Sequence, residues 1–227
     1  MSLDPHDIAL VLMKWVILVC SLSFHEFGHA WAAFNLGDPT AKLKGRLTLN
    51  PIAHSDLIGT VLLPLYGLFN PGAFFIGWAK PVPVTPQNFK NPGKDGILVA
   101  IAGPGANLVI CLFTLVGLIA LGLAGANGMP DSIFQTLLSG FKFIFWLNFF
   151  LAIFNLIPIP PLDGSWILRA FLPESFLGTY NAFSRVGFIV ILLGVYKFGN
   201  IYFGGARSNL FGLFHFVGLN HLARMIS

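Results

Sequence analysis

The sequence predicts an all-α, multi-pass membrane protein with about 4–6 membrane segments, one of them re-entrant, and a short membrane-associated β-strand or hairpin. Three observations carry this. Of the 227 residues, 56% are hydrophobic and only 10% are charged, where a soluble domain has about 25% charged residues. Mean hydropathy is +0.78, and the apolar residues collect in runs of about 20, the length that crosses a hydrocarbon core. Finally, 25 Gly and 15 Pro point to close helix contacts and broken helices. A single membrane-embedded domain over 1–227 accommodates this, with a core at about 8–170 and C-terminal helices at about 175–227.

The first span is expected over 8–34. The segment before it is acidic and lacks both a basic region and a small-residue cleavage site, so the span reads as a retained helix rather than a signal peptide. Residues 57–69 are apolar but number only 13, too few for an ordinary crossing, which makes them the re-entrant candidate. Next comes 74–84, FFIGWAKPVPV. Its Pro81 and Pro83 exclude helix, and its aromatic and Val residues favour an extended strand. Further spans are expected over 97–123 and 133–157, with a fourth near 180–198. Residues 209–225 are interrupted by His215, Asn220, His221 and Arg224, and they either cross the bilayer or lie in its interface.

The net charge of +4 does not point to nucleic acid, because the basic residues are scattered over loops and form no stripe. They report topology instead. Lys42, Lys44, Arg46, Lys80, Lys90 and Lys94 all fall between the first two spans, and 125–132 has no Lys or Arg. The first connection is therefore expected on the cytoplasmic side of the cell membrane, together with the segment after 157. Cys20 and Cys111 stand inside separate apolar helices and read as small hydrophobes.

His25-Glu26-Phe27-Gly28-His29 is an H-E-x-x-H string. On a helix, positions i and i+4 turn both imidazoles to one face, as one metal ion requires, with Glu26 beside them as a base. Ionisable groups inside a membrane are costly, which weighs against a merely structural role. A catalytic zinc usually takes three protein ligands and keeps one position open. Asp163, in Asn155-Leu-Ile-Pro-Ile-Pro-Pro-Leu-Asp163-Gly164, follows the cytoplasmic end of the third long span, where Pro158, Pro160 and Pro161 allow the chain to bend back. The same Asp163 also suits the N-cap of a helix starting at Ser165. Two imidazoles and a carboxylate suit Zn2+ but also admit iron or cobalt.

H-E-x-x-H in the first span, paired with N-x-x-P-x-P-x-x-L-D-G later, resembles the site-2 protease family of intramembrane metalloproteases. The segments 50–56, 77–84 and 102–107 extend the likeness to about 24–169. The resemblance implies one zinc ion on His25, His29 and Asp163, water activated by Glu26, and a membrane-spanning protein as substrate. It places Asn155 at the substrate or the tetrahedral intermediate. The chain looks like a minimal member, with nothing between its spans long enough for a PDZ domain and no CBS pair after the last.

Other residues have weaker claims. Asn107 either lines the cleft as a substrate or oxyanion group or bonds a neighbouring helix, and Asn148 reads as structural. Gly77, Trp78, Ala79, Lys80, Pro81 and Val82 form the candidate strand for pairing with an unwound substrate. His54 and Asp56, where a loop meets the re-entrant candidate, either touch the cleft or serve as a turn and a cap, the second reading being favoured. Two other classes compete with the protease: a metal-ion transporter, against which the clustering of ligands beside a Glu argues, and a non-proteolytic adaptor for membrane segments, against which the intact Glu26 argues.

Overall fold

The computed structural model describes residues 4–70, 77–126, 128–216 and 225–226. The chain divides into two compact units, 1–107 and 108–227, with the boundary inside one continuous helix.

The first unit is built on α1 (Pro5–Asn35), whose first turn carries Asp7 where the helix dipole favours an anion. The helix stops in a Schellman arrangement. Gly37 takes φ +105°, its N–H bonds Phe34 O at 3.2 Å, and the Asp38 N–H bonds Ala33 O at 2.9 Å. Pro39 prevents continuation. Three short helices pack on α1: α2 (Thr40–Leu43), α3 (Pro51–His54) and α4 (Leu63–Phe69). A π-helical stretch, Leu57–Leu62, leads into α4, and the whole Leu57–Phe69 run is apolar and shorter than a crossing. Its start is capped by Asp56, which accepts from Ile58 N and Gly59 N, and His54 donates from Nε2 to Thr48 O at 2.8 Å. These are the turn and cap roles expected of the two residues.

The expected strand over 74–84 takes a different form. Residues 74–76 lie outside the described part, and 77–85 carries no regular secondary structure. Alternate N–H groups nonetheless face one side, as in an extended strand: Trp78 N bonds Gly59 O at 3.0 Å, Lys80 N bonds His54 O at 2.8 Å, and Val82 N bonds Glu26 Oε2 at 2.9 Å. No ladder forms because Pro81 and Pro83 have no N–H for the opposite side. A buried carboxylate anchors the end of the segment. Asp38 accepts from Thr85 N at 2.7 Å, from Asn88 Nδ2 at 2.7 Å, and from both the N–H and the hydroxyl of Thr40.

Helix α5 (Pro92–Ala126) begins in the first unit and ends in the second. The second unit adds α6 (Asp131–Asn155), α7 (Gly164–Phe171) and α8 (Glu174–Phe216). Its core comprises Cys111, Leu118, Phe145, Phe214 and Ile226, and Trp146 donates from Nε1 to Ile226 O at 2.8 Å. The prolines end α6 as expected. The chain turns through 156–163, and Gly164 lies so close to the Leu156 and Ile157 carbonyls that a Cβ there would overlap them.

Among the described residues, three helices are long and apolar enough to cross a membrane: Asp7–Asn35, Pro92–Ala124 and Asp131–Asn155. The expected fourth span at 180–198 falls inside α8, a single helix of 43 residues. Of the 209–225 segment, 217–224 lies outside the described residues. Large apolar side chains such as Val16, Trp31, Leu112, Phe113, Val116 and Leu123 are exposed along α1 and α5. In water this would be an aggregation surface, and in a bilayer it is the lipid-facing one. The protein is an integral, multi-pass, helical membrane protein.

Candidate active site

Helical periodicity places His25 and His29 one turn apart on α1, and both are buried. Their Nδ1 atoms are engaged by α5: His25 Nδ1 lies 2.7 Å from Asn107 Oδ1, and His29 Nδ1 lies 2.7 Å from Val99 O. Asn107 is fully buried, and its Nδ2 faces Ser21 O at 3.5 Å, which fixes the amide with its oxygen toward His25. In the turn of α5 beyond Val99, Pro104 lacks the N–H that would close on Ala100 O.

Both partners of the Nδ1 atoms are acceptors, so each imidazole carries its proton on Nδ1 and a lone pair on Nε2. Yet the two Nε2 atoms lie 3.1 Å apart. Two lone pairs cannot hydrogen bond to each other, and a shared cation would accept both. Two Zn–N bonds of about 2.0–2.1 Å meeting at a tetrahedral angle would separate the nitrogens by about 3.3 Å.

Glycine supplies the space. A Cβ on Gly103 would press on His29 Nε2 and stand 2.8 Å from His25 Nε2, inside the volume a shared cation would take. A Cβ on Gly28 would come within 2.5 Å of Ala102 O, so the x-Gly of the H-E-x-x-H string is what lets α1 and α5 approach. Donor chemistry, tautomers and free volume all fit a zinc ion at the two histidines.

Glu26, half-buried on the same turn of α1, has Oε2 held by Val82 N–H at 2.9 Å. The first unit thus brings together His25, Glu26, His29, Asn107 and the 78–82 segment. The sequence motifs gave no sign of Val99, whose role is carried by a main-chain carbonyl, nor of the donor on Glu26.

In the second unit, Asp163 stands at the N-cap position of α7, but its side chain makes no capping bond to the helix, which goes against the alternative reading of it as an ordinary cap. Asn155 ends α6 and donates from Nδ2 to Leu151 O at 2.9 Å. Asn148 is fully buried and donates to Ile144 O at 2.8 Å, in keeping with a structural part.

The sequence profile of peptidase family M50 matches residues 13–194. The chain is similar to "Putative zinc metalloprotease YwhC" of Bacillus subtilis, 41% identical over 189 residues and covering 81% of each chain. Two proteins of the same description named Rip2 are also similar. That of Mycolicibacterium smegmatis is 31% identical over 185 residues, 81% of this chain and 65% of its own. That of Mycobacterium tuberculosis (Erdman) is 30% identical over 219 residues, 93% of this chain and 75% of its own. No solved structure gives a significant match. Two lone-pair imidazoles and a carboxylate on one turn of an apolar helix are what a metallopeptidase of the membrane needs, and with the profile spanning most of the sequence the chain belongs to peptidase family M50.

Proposed function

We propose that this protein is an intramembrane zinc metalloprotease that hydrolyses peptide bonds of membrane-spanning proteins, with His25, His29 and Asp163 holding one zinc ion and Glu26 acting as general base. One observation carries the reading: the Nε2 atoms of His25 and His29 lie 3.1 Å apart on the helix that also carries Glu26. The names of the M50 relatives support zinc as the metal.

When bound, zinc would supply a Lewis acid for the scissile carbonyl and make water more acidic. The chain's own groups do the rest. Glu26 takes the proton from the water that attacks the carbonyl, then gives it to the leaving amine. Asn107 and the Val99 carbonyl hold the two imidazoles in the tautomer that keeps Nε2 available, as partners of metal-bound histidines generally do. Asn155 turns its amide from Leu151 O to the developing oxyanion.

A transmembrane helix hides its amides in i to i+4 bonds, so the substrate has to unwind before Glu26 can act on it. Gly77–Val82 is the proposed rail for the unwound segment. Its Trp78, Lys80 and Val82 N–H groups are already taken by the protein itself. That leaves the opposite edge, where Ala79 offers an N–H and Pro81 does not. The basic loop residues between the first two spans support a cytoplasmic position for the site, in the cell membrane.

The test is cleavage of single-span proteins by the purified enzyme and its Glu26→Gln variant. Glu26→Gln is expected to retain zinc and stop cleavage, and in cells to let a single-span protein accumulate that the wild type removes. Proteolysis by purified Glu26→Gln at the wild-type rate overturns the assignment.

A further inference from the structure

A glutamate side chain has three rotatable bonds and loses catalytic orientation unless something fixes its carboxylate. Glu26 lies in mid-helix, and the donor 2.9 Å from its Oε2 is the main-chain N–H of Val82, 56 residues away in sequence. That N–H is the third in a row of same-facing donors. The two before it, from Trp78 and Lys80, close on Gly59 O and His54 O at 3.0 and 2.8 Å. The buried Arg46 guanidinium clamps the same stretch from its Nη2, donating to Lys80 O and, at 3.3 Å, to Pro81 O. Pro81 and Pro83 fix φ on both sides of Val82 and offer no competing N–H. The stretch that carries this donor is therefore held by three groups of the surrounding chain, the Gly59 and His54 carbonyls and the Arg46 guanidinium, and Val82 itself by its two flanking prolines, all in the first unit.

We propose that the Val82 main-chain N–H is a positioning group for the general base. It holds Oε2 and leaves Oε1 to take the proton from water, so that the rail for the substrate and the base move as one body. This rests on the protease reading above and adds to it a residue whose side chain plays no part. A charge-assisted bond of this kind, once lost, slows the step it orients by about ten- to hundredfold.

The test compares Val82→Pro, which removes the N–H from an already extended position, with Val82→Ala, which keeps it. Single-turnover cleavage of a single-span substrate is measured together with zinc content. Val82→Pro is expected to lose at least tenfold more kcat than Val82→Ala, with zinc retained and KM changed no more than in Val82→Ala. Equal losses in the two variants, or a loss confined to KM, overturn the proposal. Should Val82→Pro fail to keep its zinc, hydrogen exchange at the Val82 amide decides: it is expected to accelerate at least tenfold in Glu26→Ala, and an unchanged rate overturns the proposal. Glu26→Gln in the same cleavage assay keeps the two readings apart. If Glu26→Gln cuts like the wild type, the protease reading itself falls; if it is dead while Val82→Pro and Val82→Ala cut alike, only the positioning role falls.

Discussion

The side-chain oxygen of Asn107 stands 2.7 Å from His25 Nδ1, and the amide that carries it is fully buried. An acceptor there selects the tautomer with the proton on Nδ1 and the lone pair on Nε2. Replacing Asn107 by Leu removes the acceptor and frees the ring to flip. Zinc affinity is expected to fall by about 10–100-fold. Asn107→Asp keeps an acceptor oxygen in place and is expected to retain most of the affinity. Titration with a competing chelator, reading bound zinc rather than cleavage, checks both.

Gly103 and Gly105 lie on the same helix two residues apart, and they make opposite predictions. A Cβ at 103 would fall among the two imidazole Nε2 atoms, whereas a Cβ at 105 meets nothing within 4 Å. Gly103→Ala is expected to abolish zinc binding. Gly105→Ala should retain it and raise thermal stability slightly, since Ala is favoured over Gly in a helix by about 0.5–1 kcal/mol. Metal content of the two purified variants, side by side, checks the pair. Equal zinc in both would show that the space beside the histidines is not where the ion sits.

What was legible in the sequence was local. The i, i+4 spacing of His25 and His29 needs only helix periodicity, and the three long apolar spans need only length and composition. The proline stop after α6 and the cap at Asp56 are equally short-range. Long-range pairing was not legible. Asn107 is 82 residues from His25, so the sequence left open whether it faced a cleft or a neighbouring helix. The strand expected over 74–84 followed from aromatic and Val content, but among the described residues its partners are the Gly59 and His54 carbonyls and the Glu26 carboxylate. Asp38 went unnoticed although Gly37-Asp38-Pro39-Thr40 carries the signs of a helix stop and a side-chain-capped turn. The fourth span was drawn at the apolar part of α8, and the helix runs on past it at both ends because no proline interrupts Glu174–Phe216.

Removing the metal should loosen the two histidines as well as stop catalysis. A shared cation would tie the Nε2 atoms of His25 and His29, 3.1 Å apart in a buried setting, to one centre. Chelator-treated protein is expected to lose cleavage and to melt at a lower temperature, and added zinc should restore both. A ligand at about 100 times its Kd stabilises the folded state by about 2.7 kcal/mol, so the melting shift should grow with free zinc concentration. In His25→Ala the zinc-dependent part of the shift should vanish. A melting temperature indifferent to zinc would count against the site.

Asp38 predicts a pH dependence outside the membrane spans. Burial pushes its carboxyl up, but the hydrogen bonds from Thr40, Thr85 and Asn88 to the charged form outweigh this and hold it below the ordinary 3.8. A carboxylate whose pKa is lowered on folding stabilises the native state fully above its unfolded pKa and loses that contribution as pH falls through the folded value. The wild type should therefore hold its melting temperature on acidification to about pH 4 and lose this contribution only below it. Asp38→Ala strands several donors at the junction of α1 with the 85–88 turn, each costing about 1–3 kcal/mol when left unpaired, and it should be less stable across the whole range. Asp38→Asn, which cannot ionise, should start lower at neutral pH and show a smaller acid-induced loss. Thermal unfolding in detergent micelles between pH 3 and 7 measures all three. Parallel pH profiles for wild type and Asp38→Asn would mean that the charge on Asp38 does not hold this junction together.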